Sequence, residues 1–161
     1  MDQVDKVIEQ WRVARPDLDV TTMGTIGRLS RATKRVHIVV EETFASLGLN
    51  MAGFDVLSAL RRSGPPYALS PGDLLASMMI TSGTMTNRID QLEKAGLVSR
   101  TPDSSDARKS IVGLTPEGLK RIDEAIVEHV ATQRRLLAGL TEEEIAQLDD
   151  LLRKLTQSLD V

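Results

Sequence analysis

A chain of 161 residues with 41% hydrophobic side chains is long enough to bury the core of one domain, and we expect a single domain over residues 1–161. It contains no cysteine, which excludes disulfides, thiolate nucleophiles and cysteine-type zinc sites. The net charge of −3 argues against a protein that coats nucleic acid without discrimination. No apolar run approaches the roughly 18 residues of a membrane span, and the N-terminus lacks the apolar core of a signal peptide, so we expect a cytoplasmic protein with no membrane partner.

The charge is unevenly distributed along the chain. Residues 60–110 hold seven Lys/Arg and five Asp/Glu, a balance of +2, whereas residues 111–161 hold six and ten, a balance of −4. An anionic partner is therefore expected to bind the middle of the chain.

The first two predicted elements are helices. A short helix, ended by Pro16, has apolar residues three or four positions apart on one face. These residues are Val4, Val7, Ile8 and Trp11. A long helix follows from about Thr21 to Leu47, and Gly48 ends it.

The third predicted helix, over residues 50–63, combines an apolar stripe with two charged residues. Asp55 and Arg62 are seven residues apart, so they lie two turns apart on one face, with the small residues Ser58 and Ala59 between them. Such a pair is typical either of a structural ion pair or of a pocket whose floor the small side chains leave open. Spacing alone does not separate the two interpretations.

Two short helices joined by a tight turn are predicted next. The first begins with Ser70 as N-cap and Pro71 at the first helical position. The second ends at Gly96 and turns an apolar face to the core. That face consists of Met85, Ile89 and Leu92, and we expect Met78, Met79 and Met85 to fill the core of a protein poor in aromatic residues.

The rest of the chain is predicted as a hairpin and two helices. Two short strands, 98–101 and 110–114, flank a polar tip, and a helix from Thr115 to about Leu137 follows. Thr141 and Glu144 form a capping box for the last helix. Its leucine-rich stripe over residues 145–159 is narrow, which is typical of packing against another helix, either of the same domain or of a second subunit.

The order of these elements predicts a fold that is mainly α with a small β-hairpin wing, a winged helix-turn-helix. In such a domain the second helix of the pair enters the major groove of DNA, and residues near its start contact bases and phosphates. The candidate DNA-binding residues are Ser82, Thr84, Thr86, Asn87 and Arg88 in the helical region, with Arg108 and Lys109 at the tip of the hairpin. Asn87 is the candidate for a base contact, and Arg88 can reach a phosphate, a base or an acidic partner. The alternative is an exposed polar helix face without a role in DNA binding.

The block "LEKAGLVSRTPDSSDARKSIVGLTPEG" closely resembles the MarR family of bacterial transcription regulators, and the resemblance covers nearly the whole chain. It implies a homodimer held by helices in residues 1–49 and 115–161, with a DNA-binding region over residues 50–114. It also implies a near-palindromic double-stranded operator and, usually, repression. One departure is Asp106-Ala107-Arg108, where the family commonly has Asp-Arg-Arg, so we expect a weaker contribution of the wing to DNA binding.

The stretches "EQWRVARPDLDV", "IGRLSR" and "FDVLSALRRSGPPYALSP" resemble the PecS/HucR group of that family, whose members respond to urate. The resemblance implies a ligand site made of Trp11, Asp55, Arg62 and Arg100. Urate is a flat monoanion, so an arginine fork suits its acceptor edge, a carboxylate accepts from its N–H groups and tryptophan covers its face. The expected protein is a repressor that a small anionic ligand, urate, releases from DNA, with no cofactor. The alternative is a ligand-blind regulator or activator in which Asp55 and Arg62 form a structural ion pair.

Each candidate ligand residue also has a structural interpretation. Trp11 can be a core residue, Arg61 can replace Arg62, and Arg100 can contact a phosphate. His37 and His129 are far apart without metal-ligand spacing, so we expect exposed or capping roles for them. The chain has no GxSxG, P-loop or GxGxxG motif and no cluster of histidine with carboxylates, so we do not expect an enzyme.

Overall fold

A computed structural model describes residues 1–78, 85–102 and 110–159. These residues form seven helices and three strands. In chain order they are α1 Gln3–Ala14, α2 Thr21–Ser46, α3 Met51–Arg62, β1 Ala68–Leu69, α4 Pro71–Ala76, α5 Met85–Lys94, β2 Val98–Pro102, β3 Ser110–Leu114, α6 Pro116–Leu136 and α7 Glu142–Leu159. The chain divides into two compact units, Met1–Glu42 and Thr43–Val161, and α2 runs across the boundary between them.

The N-terminal unit is organised around the start of α1. Asp2 and Asp5 form a capping box, in which each carboxylate accepts from the backbone N–H of the other residue. The Arg28 guanidinium on α2 binds both carboxylates. Val4, Ile8 and Val20 form a small buried cluster beside this network.

Helix α3 lies at the centre of the second unit, against α4, α5, α6 and β3. Its N-cap Asn50 accepts a hydrogen bond from the Gly53 N–H at 2.8 Å. Every residue from Gly53 to Leu60 except Asp55 is buried, because neighbouring elements cover the helix on most sides. Asp55 is therefore only partly covered by protein.

The wing contains one strand more than the predicted two-stranded hairpin. Strands β2 and β3 pair as predicted, and β1 pairs on the other side of β3 to give the order β1-β3-β2. β1 has only two residues, so it carries no alternation that the sequence could have shown. It approaches β3 closely, because a Cβ on Gly113 would lie 3.3 Å from the Cβ of Ala68.

Local signals correctly predict α4, α5 and the two helices after the wing, whereas the predicted turn between α4 and α5 lies outside the described residues. Ser70 caps α4, with its Oγ accepting from the Asp73 N–H at 3.1 Å, and Pro71 occupies the first turn. The buried residues of α5 are Met85, Ile89 and Leu92, and Met78 is also buried, whereas Met79 lies outside the described residues. Thr115 caps α6. Glu144 and Thr141 form the predicted capping box at the start of α7.

Helix α7 buries no residue within the single chain. Four of its leucines are exposed, from 38% for Leu148 to 73% for Leu159, and Leu155 is half-buried. The predicted apolar stripe is therefore available for packing against another helix.

None of the described helices is long and apolar enough to cross a membrane by itself. Helices α2 and α3 reach the necessary length and apolar content only when they are taken together, and the chain bends by 75° between them.

Candidate functional site

Asp55 is a half-buried carboxylate with no direct partner among the described residues. Within the described part of the chain it forms no hydrogen bond and no ion pair, so it is not paired with Arg62. Burial raises the pKa of Asp55 above its ordinary value, and the opposing charges that lower it are Arg88, then Arg62 and then His129. Because burial outweighs these three groups, the ionised carboxylate costs free energy in the folded chain.

The two neighbouring arginines at the end of α3 have different surroundings. The Arg61 Nε donates to the Asp123 carboxylate at 2.7 Å, and its guanidinium lies 5.0 Å from the centre of the Tyr67 ring. Arg62 is exposed, and its one hydrogen bond with a described residue is long, with Nη2 at 3.5 Å from the Ser77 carbonyl oxygen. Arg61 is thus used structurally, whereas Arg62 retains donors for a further acceptor.

Arg88 brings the recognition helix α5 to Asp55. Its Nη1 is buried and has no hydrogen-bond partner among the described residues. Arg88 lowers the pKa of Asp55 more than Arg62 or His129 does. Asp55 is thus an acidic group within the influence of Arg88, and the phosphate and base contacts that the sequence also allowed for Arg88 stay predictions. A cavity of about 270 Å³ is lined by Arg88 together with Asn50, Gly53 and Gln91, and its lining does not include Asp55.

His129 is half-buried against aromatic side chains, so the predicted exposed or capping role is wrong for His129, whereas His37 is exposed as predicted. Its ring centroid lies 5.2 Å from that of Phe44 and 5.0 Å from that of Phe54. Burial lowers the pKa of His129, and Asp55 acts in the opposite direction. The signal was present in the sequence, because His129 lies in helical register with the buried Ile122, Ala125 and Thr132 of α6.

Arg100 holds the wing to the recognition helix. Its guanidinium binds the carboxylates of Asp90 and Glu93 on α5, and its backbone N–H donates to Glu93 Oε1 at 3.2 Å. The hydrogen bond to Asp90 raises the pKa of Arg100 above its ordinary value. In the described residues Arg100 is not among the cations that act on Asp55. The structure therefore brings Arg62 and Arg88 together with Asp55 and places Arg100 in a separate network.

Trp11 lies in the N-terminal unit and is 42% exposed. It is not a member of the buried cluster of Val4, Ile8 and Val20, so core packing alone does not explain it. Part of the indole is therefore accessible for stacking against a planar ligand.

The predicted DNA-contacting face is described only in part. Thr86 and Asn87 are exposed near the start of α5, on the side opposite its buried residues. Ser82, Thr84, Arg108 and Lys109 lie outside the described residues.

A short helix with an exposed polar face, held by a preceding helix and followed at once by an antiparallel wing, defines a winged helix-turn-helix DNA-binding protein. The model of the MarR family matches residues 49–110. The HTH-type transcriptional regulator PecS of Dickeya dadantii is 39% identical over 157 residues, which cover 98% of this chain and 95% of PecS. The chain belongs to the MarR family and is similar over nearly its whole length to PecS.

Two solved structures support the same assignment. BpsR of Bordetella bronchiseptica, whose DNA binding is regulated by 6-hydroxynicotinic acid, is 30% identical with a TM-score of 0.70, covering 81% of this chain and 91% of BpsR. A variant of MarR from E. coli complexed with operator DNA is 25% identical with a TM-score of 0.72, covering 84% of this chain and 96% of MarR. The protein is therefore a DNA-binding transcription regulator and not an enzyme.

Proposed function

We propose that the protein is a homodimeric repressor that binds a near-palindromic operator and is released from it by a small planar anion, urate. The observation that carries the proposal is the unpaired Asp55 carboxylate with Arg62 and Arg88, because it links a polar site on α3 to the recognition helix. Similarity to PecS and to BpsR, which responds to a heterocyclic carboxylic acid, supports a ligand of this class.

The proposed ligand residues are Trp11, Asp55, Arg62 and Arg88, and Arg88 takes the part that the sequence assigned to Arg100. A carboxylate accepts from the N–H groups of urate, and the two guanidinium groups donate to its oxygens. The Trp11 indole would stack on the flat ring. A role in ligand binding explains a carboxylate that forms no ion pair among the described residues. This argues against the alternative in which Asp55 and Arg62 form a structural ion pair.

Release from DNA follows from the position of Arg88 on α5. Thr86 and Asn87, which are proposed to contact DNA, directly precede it on the same short helix. A ligand that binds more tightly to an α5 position incompatible with the operator lowers the DNA affinity by that difference in binding free energy.

The proposed dimer accounts for the apolar surface of α7. A helix with leucines along one face and no buried residue leaves that face to a second subunit. A two-fold symmetric dimer in turn matches a near-palindromic operator. We place the protein in the cytoplasm and propose that it acts without a cofactor.

The test is a gel-shift titration of urate on the DNA upstream of the protein's own gene, with Trp11 fluorescence as a second readout. We expect urate to release the DNA and to change the fluorescence in the same concentration range. If urate up to millimolar concentrations changes neither signal, the urate proposal is wrong and the ligand-blind regulator is favoured.

Two variants test the proposed DNA contacts. Asn87→Ala is expected to relax the sequence preference at one base pair, since a lost base contact costs about 1–3 kcal/mol of discrimination. Arg108→Ala is expected to weaken binding to all sequences alike and to reduce its salt dependence, since a phosphate contact carries no sequence information. Affinities for the operator and a scrambled duplex at two salt concentrations measure both effects. Wild-type behaviour of both variants would contradict the assignment.

A further inference from the structure

Three buried polar atoms lack a hydrogen-bond partner in the described part of the chain, and they lie on three packed helices. They are Ser58 Oγ on α3, Arg88 Nη1 on α5 and His129 Nδ1 on α6. Helix α3 contacts both α5 and α6. The charges of Arg88 and His129 both lower the pKa of Asp55, so two of the three atoms lie near the proposed ligand site.

Ser58 lies on the face of α3 that carries Asp55 and Arg62, three residues after the first and four before the second. It is only 7% exposed. A helical serine usually satisfies its hydroxyl on a carbonyl of its own helix, as Ser63 does with the Leu60 carbonyl at 2.7 Å. Ser58 makes no such bond, so its hydroxyl is available to another molecule.

The contact of His129 with Gln133 determines what the free ring nitrogen can offer. The Gln133 amide nitrogen lies 2.9 Å from His129 Nε2, and an amide nitrogen can only donate. Nε2 is then the acceptor, and the proton of the neutral imidazole is on Nδ1. The unpartnered Nδ1–H therefore requires an acceptor.

Buried polar groups are almost always hydrogen-bonded, so three unpartnered ones, two of them near Asp55 and one on the same helix, indicate a missing partner. We infer that Ser58 and His129 contact the ligand and select it, with His129 Nδ1–H and Arg88 donating to oxygen or ring-nitrogen acceptors on the buried edge of a planar heterocyclic anion. The inference rests on the proposed function. It adds two residues to the proposed ligand site and a preference for ligands whose buried edge carries hydrogen-bond acceptors. A flat anion whose buried edge is hydrocarbon would leave these groups unpaired and would bind weakly.

The position of these atoms also explains how binding can act on DNA recognition. One of the three atoms, Arg88 Nη1, belongs to α5, so a ligand that accepts a hydrogen bond from it bonds directly to the recognition helix. A ligand that binds more tightly to a different position of α5 on α3 would in this way alter the DNA contacts.

The experiment compares Ser58→Ala and His129→Phe with the wild-type protein. Phenylalanine retains a ring that can stack on Phe44 and Phe54 but has no nitrogen. We expect each variant to bind urate and 6-hydroxynicotinic acid about 2- to 10-fold more weakly by calorimetry, the effect of one lost hydrogen bond. Without ligand, Ser58→Ala should unfold at an equal or higher denaturant concentration, because it removes an unsatisfied hydroxyl. Ser63→Ala is the matched control, and its ligand affinity should equal that of the wild-type protein.

The outcomes separate this inference from the proposed function. If the wild-type protein binds urate and both variants bind it equally well, the inference is overturned and the proposed function stands. Lower stability of Ser58→Ala with unchanged affinity would also overturn it, since the hydroxyl would then be structural. Binding of 6-hydroxynicotinic acid but not urate, weakened in the variants, would support the inference and overturn the choice of urate. A wild-type protein that binds neither compound would overturn both.

Discussion

Gly118→Ala is expected to destabilise the fold by roughly 3 kcal/mol or more and to abolish operator binding. A Cβ at this position would lie 1.8 Å from the carbonyl oxygen of Leu97 and 2.8 Å from its carbonyl carbon. That oxygen also accepts from the Thr115 N–H at 3.1 Å, and the Thr115 hydroxyl donates to the Gly96 carbonyl at 2.7 Å. The end of the recognition helix, the start of the wing and the start of α6 therefore meet at a point where no side chain fits.

Denaturant unfolding and gel shifts measure the effect, and Gly139→Ala is the control. Nothing lies within 4 Å of the position that a Cβ on Gly139 would take. Its free energy of unfolding should therefore change by no more than about 0.5 kcal/mol. A Gly118→Ala protein as stable as the wild-type protein would show that the close approach of α6 to Leu97 is incorrect.

Asp55→Asn is expected to weaken ligand binding about 10- to 100-fold while making the ligand-free protein more stable at neutral pH. A hydrogen bond to a charged group contributes about 1.5–3 kcal/mol, which sets the expected loss of affinity. The gain in stability follows from the raised pKa of Asp55. The folded state disfavours the ionised carboxylate, so stability is lost as the pH rises from the ordinary value of 3.8 through the raised pKa. Asparagine carries no charge and removes that loss.

Asp2→Asn is the control with the opposite sign. The backbone N–H of Asp5, followed by Arg28, lowers the pKa of Asp2, so its ionised form contributes stability above pH 3.8 that is lost as the pH falls. Asparagine retains an N-cap side chain but not the charge. At neutral pH we expect Asp2→Asn to unfold before the wild-type protein and Asp55→Asn to unfold after it, with both differences shrinking below pH 3.8. Equal or lower stability of Asp55→Asn at pH 7 would contradict the burial argument.

Elements with strong local signals could be predicted from the sequence. The N-caps Ser70 and Thr115 and the capping box of Thr141 and Glu144 depend on residues within one helical turn, and all of them form. The two long strands of the wing have enough residues to be recognised. β1 could not be predicted, because its two residues are a strand only through their pairing with β3.

The membership of the candidate site was harder to predict than the fold. Helical spacing correctly placed Asp55 and Arg62 on one face of α3. Whether Arg88 or Arg100 joins them depends on how α5 packs on α3 and on which carboxylates compete for each guanidinium. Arg100 binds two acidic residues seven and ten positions earlier, a spacing that no single helix or strand brings together and that arises from the fold of β2 back onto α5. Tertiary contacts of this kind leave no periodic pattern in the sequence.

The Arg100 network limits how operator specificity can be transplanted between relatives. A chimera that received only another protein's recognition helix, residues 85–94, would keep Arg100 but lose the carboxylates of Asp90 and Glu93 wherever the donor helix lacks them. The wing would then lose both ion pairs of Arg100 with the recognition helix. The smallest segment that can be exchanged as an independent module therefore extends through residue 100, and libraries that vary α5 should hold positions 90 and 93 acidic.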